Sequence, residues 1–481
     1  MTTYLDIAAV RIQAYLGRVP SLAGRRGASA LLAAATSQAT IEGILAQASF
    51  AGTVTWNSAA GDVDGVVSLC LTDPNDVSVV VGLVASHLRS ALPALDLEWS
   101  SGTGASYAEA YAQGMGPGHD TGTKALAPPQ AALAPVTEWP LAALCEVTGT
   151  DSAQEKRWTG PDQVSRRVGR DALTRLQFGG DARSAARSIE DALHERVDSQ
   201  LDRADDLGTL AEFGPEDRRP ANHLATIAID GNAMGDLFAR LVASGSTSKD
   251  WLSLSIKAAT IAALDEATRA CIRGGARGFP VVPHVLGGDD VLVSVPALLG
   301  VTFARSFLER FAKAVFDEIS ANDSSLLGAL SPSPSPSASA GIVFAHAGTP
   351  FDQVTELAEG RLRSAKRAVE GREAALSWLD VTRDGMAVPG FHRPLTLPEL
   401  SHAAPILTEI GAMPRHRIGE LDRALAHDDP DTGRALALRL LRRHGYLAGS
   451  TQGSGATLVA LIATGDIDSA RDLIGLARWW R

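Results

Sequence analysis

The stretch His284-Val285-Leu286-Gly287-Gly288-Asp289-Asp290-Val291-Leu292-Val293 decides how this chain is read. Apolar runs at 281–286 and 291–295 flank a glycine-rich tip that ends in paired acids, the pattern of a β-hairpin. Upstream, residues 224–229 form a short apolar run that stops at Asp230-Gly231, as a buried strand does. Helical patterning fills 235–242 and 250–272 between that strand and the hairpin. Downstream come an amphipathic helix over 297–320 and a last strand at 341–345. The order is β-α-β-β-α-β, a ferredoxin-like unit with strand order 4-1-3-2. In that topology the end of strand 1 lies beside the start of strand 3. Asp230 is therefore expected to meet Asp289 and Asp290.

A weaker copy of the same order opens the chain. A strand at 4–9 and largely helical 19–46 are followed by strands at 53–57 and 66–70 around the turn Ala59-Ala60-Gly61-Asp62. A helix at 77–92 and a closing strand at 95–100 complete it. Its turn carries no paired acids. A loop rich in glycine, proline and alanine (114–135) and a charged helical stretch from 162 to about 207 separate the copies. The Ser/Pro run from Ser331 to Ser339 reads as a low-complexity loop before the last strand of the second copy. After Pro394 the pattern is helical to the end. The expected fold class is α+β: ferredoxin-like (βαββαβ) units at 1–113 and 221–395, an intervening helical region at 114–220, and a helical domain at 396–481.

Composition narrows the function classes. The chain has 481 residues, 45% hydrophobic and 21% charged, and a formal net charge of −11, so no basic field predicts strong direct binding of nucleic acid. Cys70, Cys145 and Cys271 form no CxxC pair, which points to a reducing compartment without disulfides. The start lacks a signal-peptide pattern, and no run approaches the roughly 18 apolar residues of a membrane span. A cytoplasmic location with no membrane partner is expected.

The chemistry rests on the acids. Asp230, Asp289 and Asp290 brought together repel one another unless a divalent cation neutralises them, and hard oxygen ligands suit Mg²⁺ or Mn²⁺. Gly287 and Gly288 let backbone approach a phosphate closely. A helix is expected from Thr349 (cap), Pro350 and Asp352 (closing a capping box), with Phe351, Val354, Ala358, Leu362, Ala365 and Val369 on one face. Lys366 or Arg367, late on that helix, can supply a cation to a triphosphate. Each feature alone has a plainer reading as turn chemistry, strand end or solvated lysine; their joint placement carries the assignment. His119-Asp120 has no companion histidines at metal spacing, His427-Asp428-Asp429 reads as a loop between helices, and Cys70 and Cys271 read as core residues.

The segments Ile227-Ala228-Ile229-Asp230-Gly231-Asn232-Ala233-Met234-Gly235 and His284 to Leu292 resemble the large polymerase-like subunit of type III CRISPR effector complexes. So do Ala340-Gly341-Ile342-Val343-Phe344-Ala345-His346, the helix at 362–369, and Leu376-Ser377-Trp378-Leu379-Asp380-Val381-Thr382-Arg383-Asp384-Gly385. The opening, Asp6-Ile7 through Arg26-Gly27-Ala28-Ser29-Ala30-Leu31-Leu32, is similar to that family's first palm domain. The resemblance implies a two-palm protein that converts ATP into cyclic oligoadenylates when the guide RNA of its complex pairs with target RNA, beside other effector subunits. Under it Asp289 and Asp290 are catalytic metal ligands, Asp230 is the first-strand acid, and Lys366 contacts phosphate. Asn232 stands where the family has a second acid of Asp-Gly-Asp, so it falls among the nucleotide-binding positions with altered metal affinity. Joining two nucleotides requires a second one beside the first palm; the small residues Gly27-Ala28-Ser29 and the turn at 57–61 leave room for it, with Ser29 as its contact. The family's N-terminal histidine–aspartate nuclease domain has no counterpart here, which predicts no DNA cleavage, and Cys145 resembles a zinc-finger remnant without its partner cysteines. A non-catalytic scaffold and a diguanylate-cyclase-like enzyme are the competing readings, the latter disfavoured by Asp290-Val291 in place of Glu-Phe.

Overall fold

The fold was obtained as a computed structural model. It describes residues 1–19, 21–60, 65–111, 115, 123–126, 143–159, 164–181, 189–216, 222–235, 237, 250–322, 336–385, 392–444 and 456–480. His119-Asp120, most of the loop at 114–135, the end of the turn at 59–62, most of the expected helix at 235–242 and residues 331–335 of the Ser/Pro run lie outside the described residues.

Strand β1 (Thr2–Val10) alternates faces, with Leu5 and Ile7 buried under helices and Tyr4 and Asp6 on the opposite side. It runs antiparallel between β3 (Val66–Leu71) and β4 (Asp96–Gly104). With β2 (Val54–Trp56) and β5 (Thr123–Leu126) the order is β2-β3-β1-β4-β5, so its first four strands have the 4-1-3-2 arrangement. Helix α1 (Ile12–Gly17) precedes α2 (Leu22–Thr36), whose Leu31 and Leu32 join Val80, Val84 and Leu88 of α3 (Val77–Ala91) in the core on one face.

The second unit is larger. Strands β8 (His223–Asn232), β9 (Val282–Gly287), β10 (Asp290–Pro296) and β11 (Ser337–His346) repeat the 4-1-3-2 order, and β12 (Ala375–Asp380) and β13 (Leu395–Thr396) extend it to β13-β12-β11-β8-β10-β9. Helices α4 (Asp250–Arg273) and α5 (Gly300–Asn322) cover one face, with Phe303, Phe307 and Phe311 of α5 at one-turn spacing in the core. Helix α6 (Phe351–Ala368) covers the other: Phe351, Val354 and Ala358 pack on Ala228, Leu292 and Val343. Its crossover delivers β12 parallel to β11. The C-terminal helices, from Leu397–Gly411 to Ile467–Ala477, share one continuous core with this unit. Trp479 stacks on Phe344 at 4.9 Å and donates its indole N–H to Asp380 at 2.9 Å. Among the described residues no helix is long and apolar enough to cross a membrane.

Three local expectations need correction. Residues 164–169, expected to be helical, form β7 (Val164–Gly169) paired with β6 (Ala153–Thr159); the helix starts only at Arg170. Cross-strand pairing outweighs the helical propensity of Arg166 and Arg167. Strand β11, expected as the last strand of the unit and at 341–345, begins already at Ser337, inside the Ser/Pro run, because Ser337 and Ser339 pair with Asn232 and Asp230. Finally, α6 begins one residue later than expected, with Pro350 at its cap and no side-chain cap bond; the Thr349 N–H instead closes a turn on the His346 carbonyl at 2.8 Å.

Candidate active site

Backbone geometry explains why the hairpin has two glycines followed by two acids. Gly287 pairs with Asp290, leaving Gly288 and Asp289 as the two turn residues. Gly288 has φ +60°, the left-handed position that a tight hairpin of the right twist demands and that a side chain resists. Asp289 is thereby carried over β8. A Cβ at Gly231 would collide with Asp289 Oδ2, so the glycine of Asp230-Gly231-Asn232 is the space that the hairpin acid occupies. Beyond Asn232 the strand stops at Ala233, held at φ +55°, a conformation unfavourable for a residue with a Cβ.

The topology brings Asp230 to Asp289 and Asp290, as expected: Val291 pairs with Ile229, so the next residue of each strand lies at the same sheet edge. Protein atoms crowding the hairpin tip raise the Asp289 carboxyl above the ordinary carboxylate range, and repulsion from Asp230 adds to this. Asp290 is shifted in the same direction by burial, by Asp230 and by Asp289. Because part of Asp290 remains in water, the repulsion is its more durable cause.

Lys366 is the cation of the site. It sits in the last turn of α6, half-buried, and its ammonium donates to an Asp230 carboxylate oxygen and to the Gly231 carbonyl, the latter at 2.8 Å. Arg367, the other expected cation, is exposed. The amide of Asn232 is directed differently. Its Nδ2 donates to Ser337 Oγ at 3.0 Å and to the Glu373 carbonyl at 2.8 Å, while Oδ1 accepts from Ser339 Oγ at 3.0 Å. Buried and bonded on three sides, Asn232 braces β8 against β11. The Ser/Pro run gave no sign of this role, since Ser337 and Ser339 look like loop residues in the sequence.

In the first unit, Ser29 lies on α2 one turn beyond Arg25, on a helix that touches β9 and the start of α6. The turn at 57–60 is otherwise engaged: Ala59 and Ala60 pack on the Tyr4–Tyr107–Met115 cluster, and Asn57 donates to Ser68 Oγ at 2.9 Å. Cys145, the expected zinc-finger remnant, is buried with Val19, Val168 and Leu173, and its sulfur accepts from the Thr148 N–H at 3.4 Å.

Among the described residues no three His, Cys, Asp or Glu side chains are grouped closely enough to hold a metal ion between them. The acids nonetheless fit a divalent cation of the Mg²⁺ kind, which takes one or two carboxylates and completes its shell with water and phosphate. Asp289 and Asp290 are crowded against Asp230, and the ammonium of Lys366 relieves part of that repulsion, so added positive charge is favoured there.

Comparison with known proteins agrees with this geometry. No curated protein matches the chain in sequence. Among solved structures, an apo Csm1–Csm4 cassette is similar over 99% of this chain and 70% of that one, at 12% identity and a TM-score of 0.54. The cassette in complex with one ATP is similar over 100% and 70%, at 12% identity and a TM-score of 0.52. The complex with cA3 gives 99% and 69%, 13% identity and 0.50. The sequence profile of the Cas10/Cmr2 second palm domain matches residues 223–376, from the first residue of β8 into β12 and through the whole acidic hairpin. Residues 223–376 thus match the Cas10/Cmr2 second palm domain, within a chain similar in fold to Csm1.

Proposed function

We propose that this chain is a nucleotidyltransferase that joins ATP into cyclic oligoadenylates as the large subunit of a type III CRISPR effector complex. The observation that carries the reading is the convergence of Asp230, Asp289 and Asp290 beside Lys366 at the edge of a Cas10/Cmr2 second palm. The similar Csm1–Csm4 cassettes, one described with ATP and one with cA3, support ATP as substrate and a further effector subunit as partner. Guide RNA with target RNA enters through that assembly.

In the reaction the 3′-oxygen of one nucleotide bonds to the α-phosphorus of the next, the α–β bridging P–O bond breaks, and pyrophosphate leaves. The hydroxyl proton passes to solvent. Mg²⁺ or Mn²⁺ held by Asp289, Asp290 and Asp230 would supply charge neutralisation at the reacting oxygens. Lys366 shifts from Asp230 towards the triphosphate once that charge is met, and Gly287 and Gly288 leave the backbone open to phosphate. Ser29 lies with the second nucleotide. Asn232 acts by holding β8 in place for Asp230. Mass spectrometry of products from ATP and Mn²⁺, with the assembled complex, tests the reading: cyclic oligoadenylates that vanish in Asp289→Ala/Asp290→Ala support it. The engagement of Asn232, an amide where a second acid would add a ligand, favours one alternative, a scaffold subunit, and that alternative predicts no product at all.

A further inference from the structure

Between the two palms three buried side chains from three elements form one stack. The Arg25 guanidinium of α2 lies 3.6 Å over the Phe351 ring, and the His284 ring meets Phe351 at 4.6 Å. Arg25 is 2% exposed, Phe351 4% and His284 3%, so the stack is closed to water. His284 Nε2 lies 2.8 Å from Ser294 Oγ, tying β9 to β10 beneath the hairpin. Around this stack the palms fit closely. The Gly17 backbone at the end of α1 abuts Asp352, where a Cβ would stand 3.2 Å from the Asp352 Cβ. Val285 packs against the first palm's core and against the cluster beneath α6.

The placement matters more than the contacts. His284 is three residues from Gly287 on the strand that carries the acidic tip. Phe351 opens the helix whose last turn holds Lys366. Arg25 is one turn before Ser29 on the first palm's helix. The elements that carry Gly287, Lys366 and Ser29 thus meet at one joint.

We propose that Arg25, Phe351 and His284 are positioning residues that set the first palm against the acidic hairpin and so align the two nucleotides; this rests on the nucleotidyltransferase reading. None of the three touches substrate. Misalignment costs turnover rather than affinity, and a displacement of about 1 Å is enough to lower a rate on the order of 10²-fold.

The test uses the full chain with Arg25→Met, Phe351→Leu and Arg25→Lys, read in two ways. In turnover of ATP with Mn²⁺, Arg25→Met and Phe351→Leu are expected to lower kcat about 10–100-fold at an unchanged KM, with Arg25→Lys recovering most of it. In amide hydrogen exchange, the same two variants should lose protection selectively in α1, the start of α2 and β9, while β1, β3 and β11 stay protected. Wild-type kcat or unchanged exchange in a folded Arg25→Met would overturn the proposal. Uniform loss of protection through either sheet would also overturn it, since that marks a general core role. Should the wild-type chain and its complex make no product, the nucleotidyltransferase reading fails, and the exchange pattern alone decides the joint.

Discussion

The two palms of this chain share a strand order and differ in where they put a carboxylate. In the first, Asp6 lies in the middle of β1, opposite Ser68 and Ser100. It accepts from Ser68 Oγ and, at 2.7 Å, from the Tyr107 hydroxyl, while Asn57 backs Ser68. In the second, mid-strand Thr226 and Ser294 stand 3.4 Å apart with His284 bonded to Ser294, a neutral ladder across equivalent strands. The acids of that palm have moved to the strand end and the hairpin tip. Mid-sheet, the neighbours of a carboxylate are hydroxyls and it becomes a brace. At the edge its neighbours are other acids, a lysine and water, and it keeps a demand for positive charge. One topology therefore yields an acid braced by hydroxyls or an acid crowded by other acids according to its position along the strand.

The same chemical change made in both palms separates brace from site. Asp289→Asn with Asp290→Asn should lower oligonucleotide formation by roughly 10³-fold or more, whereas Asp6→Asn should leave it within about threefold. Mass-spectrometric quantitation of products from the assembled complex distinguishes them; equal losses would erase the difference between brace and site.

Next in size is Lys366→Met. It leaves Asp230, Asp289 and Asp290 without their cation and removes a phosphate contact, so turnover is expected to fall about 10–100-fold, with a higher KM for ATP. Steady-state kinetics that match wild type would show that Lys366 only neutralises the resting site.

Stability should respond in the opposite sense to activity. Asp6→Ala removes the acceptor of Ser68 Oγ and of the Tyr107 hydroxyl and should cost about 1–3 kcal/mol in urea unfolding. Asn232→Asp restores an acid yet sets a carboxylate against the Glu373 carbonyl, so a comparable loss is expected with no gain in turnover. A more active Asn232→Asp protein would mean that position 232 faces the metals after all.

The smallest effect is a pH dependence. Asp289 and Asp290 have folded-state proton affinities above the unfolded carboxylate value of about 3.9. The folded chain then binds more protons in that window, and stability falls as pH rises through it. Thermal melting should show wild type losing ground to Asp289→Asn/Asp290→Asn from about pH 4 upwards. Added Mg²⁺ at pH 8 should restore the wild type alone. A difference that is flat with pH would remove the repulsion from the account.

The second palm and its acids were legible in the chain. Hydrophobic period, turn glycines and one strand order were enough to place Asp230 beside Asp289 and Asp290, because ladder pairing converts strand ends into neighbours however long the connection. Helical spacing also placed a cation late on α6 as Lys366 or Arg367, and only the family resemblance singled out Lys366. That choice belongs to helix phase: only the side chain turned to the sheet reaches Asp230. Only the tertiary structure decided that Asn232 is bonded to serines from an apparent loop, that 164–169 pairs as a ribbon instead of coiling, and that Arg25, His284 and Phe351 meet. Each of these depends on which distant atoms satisfy a buried polar or aromatic group, and burial between elements leaves no period in the chain.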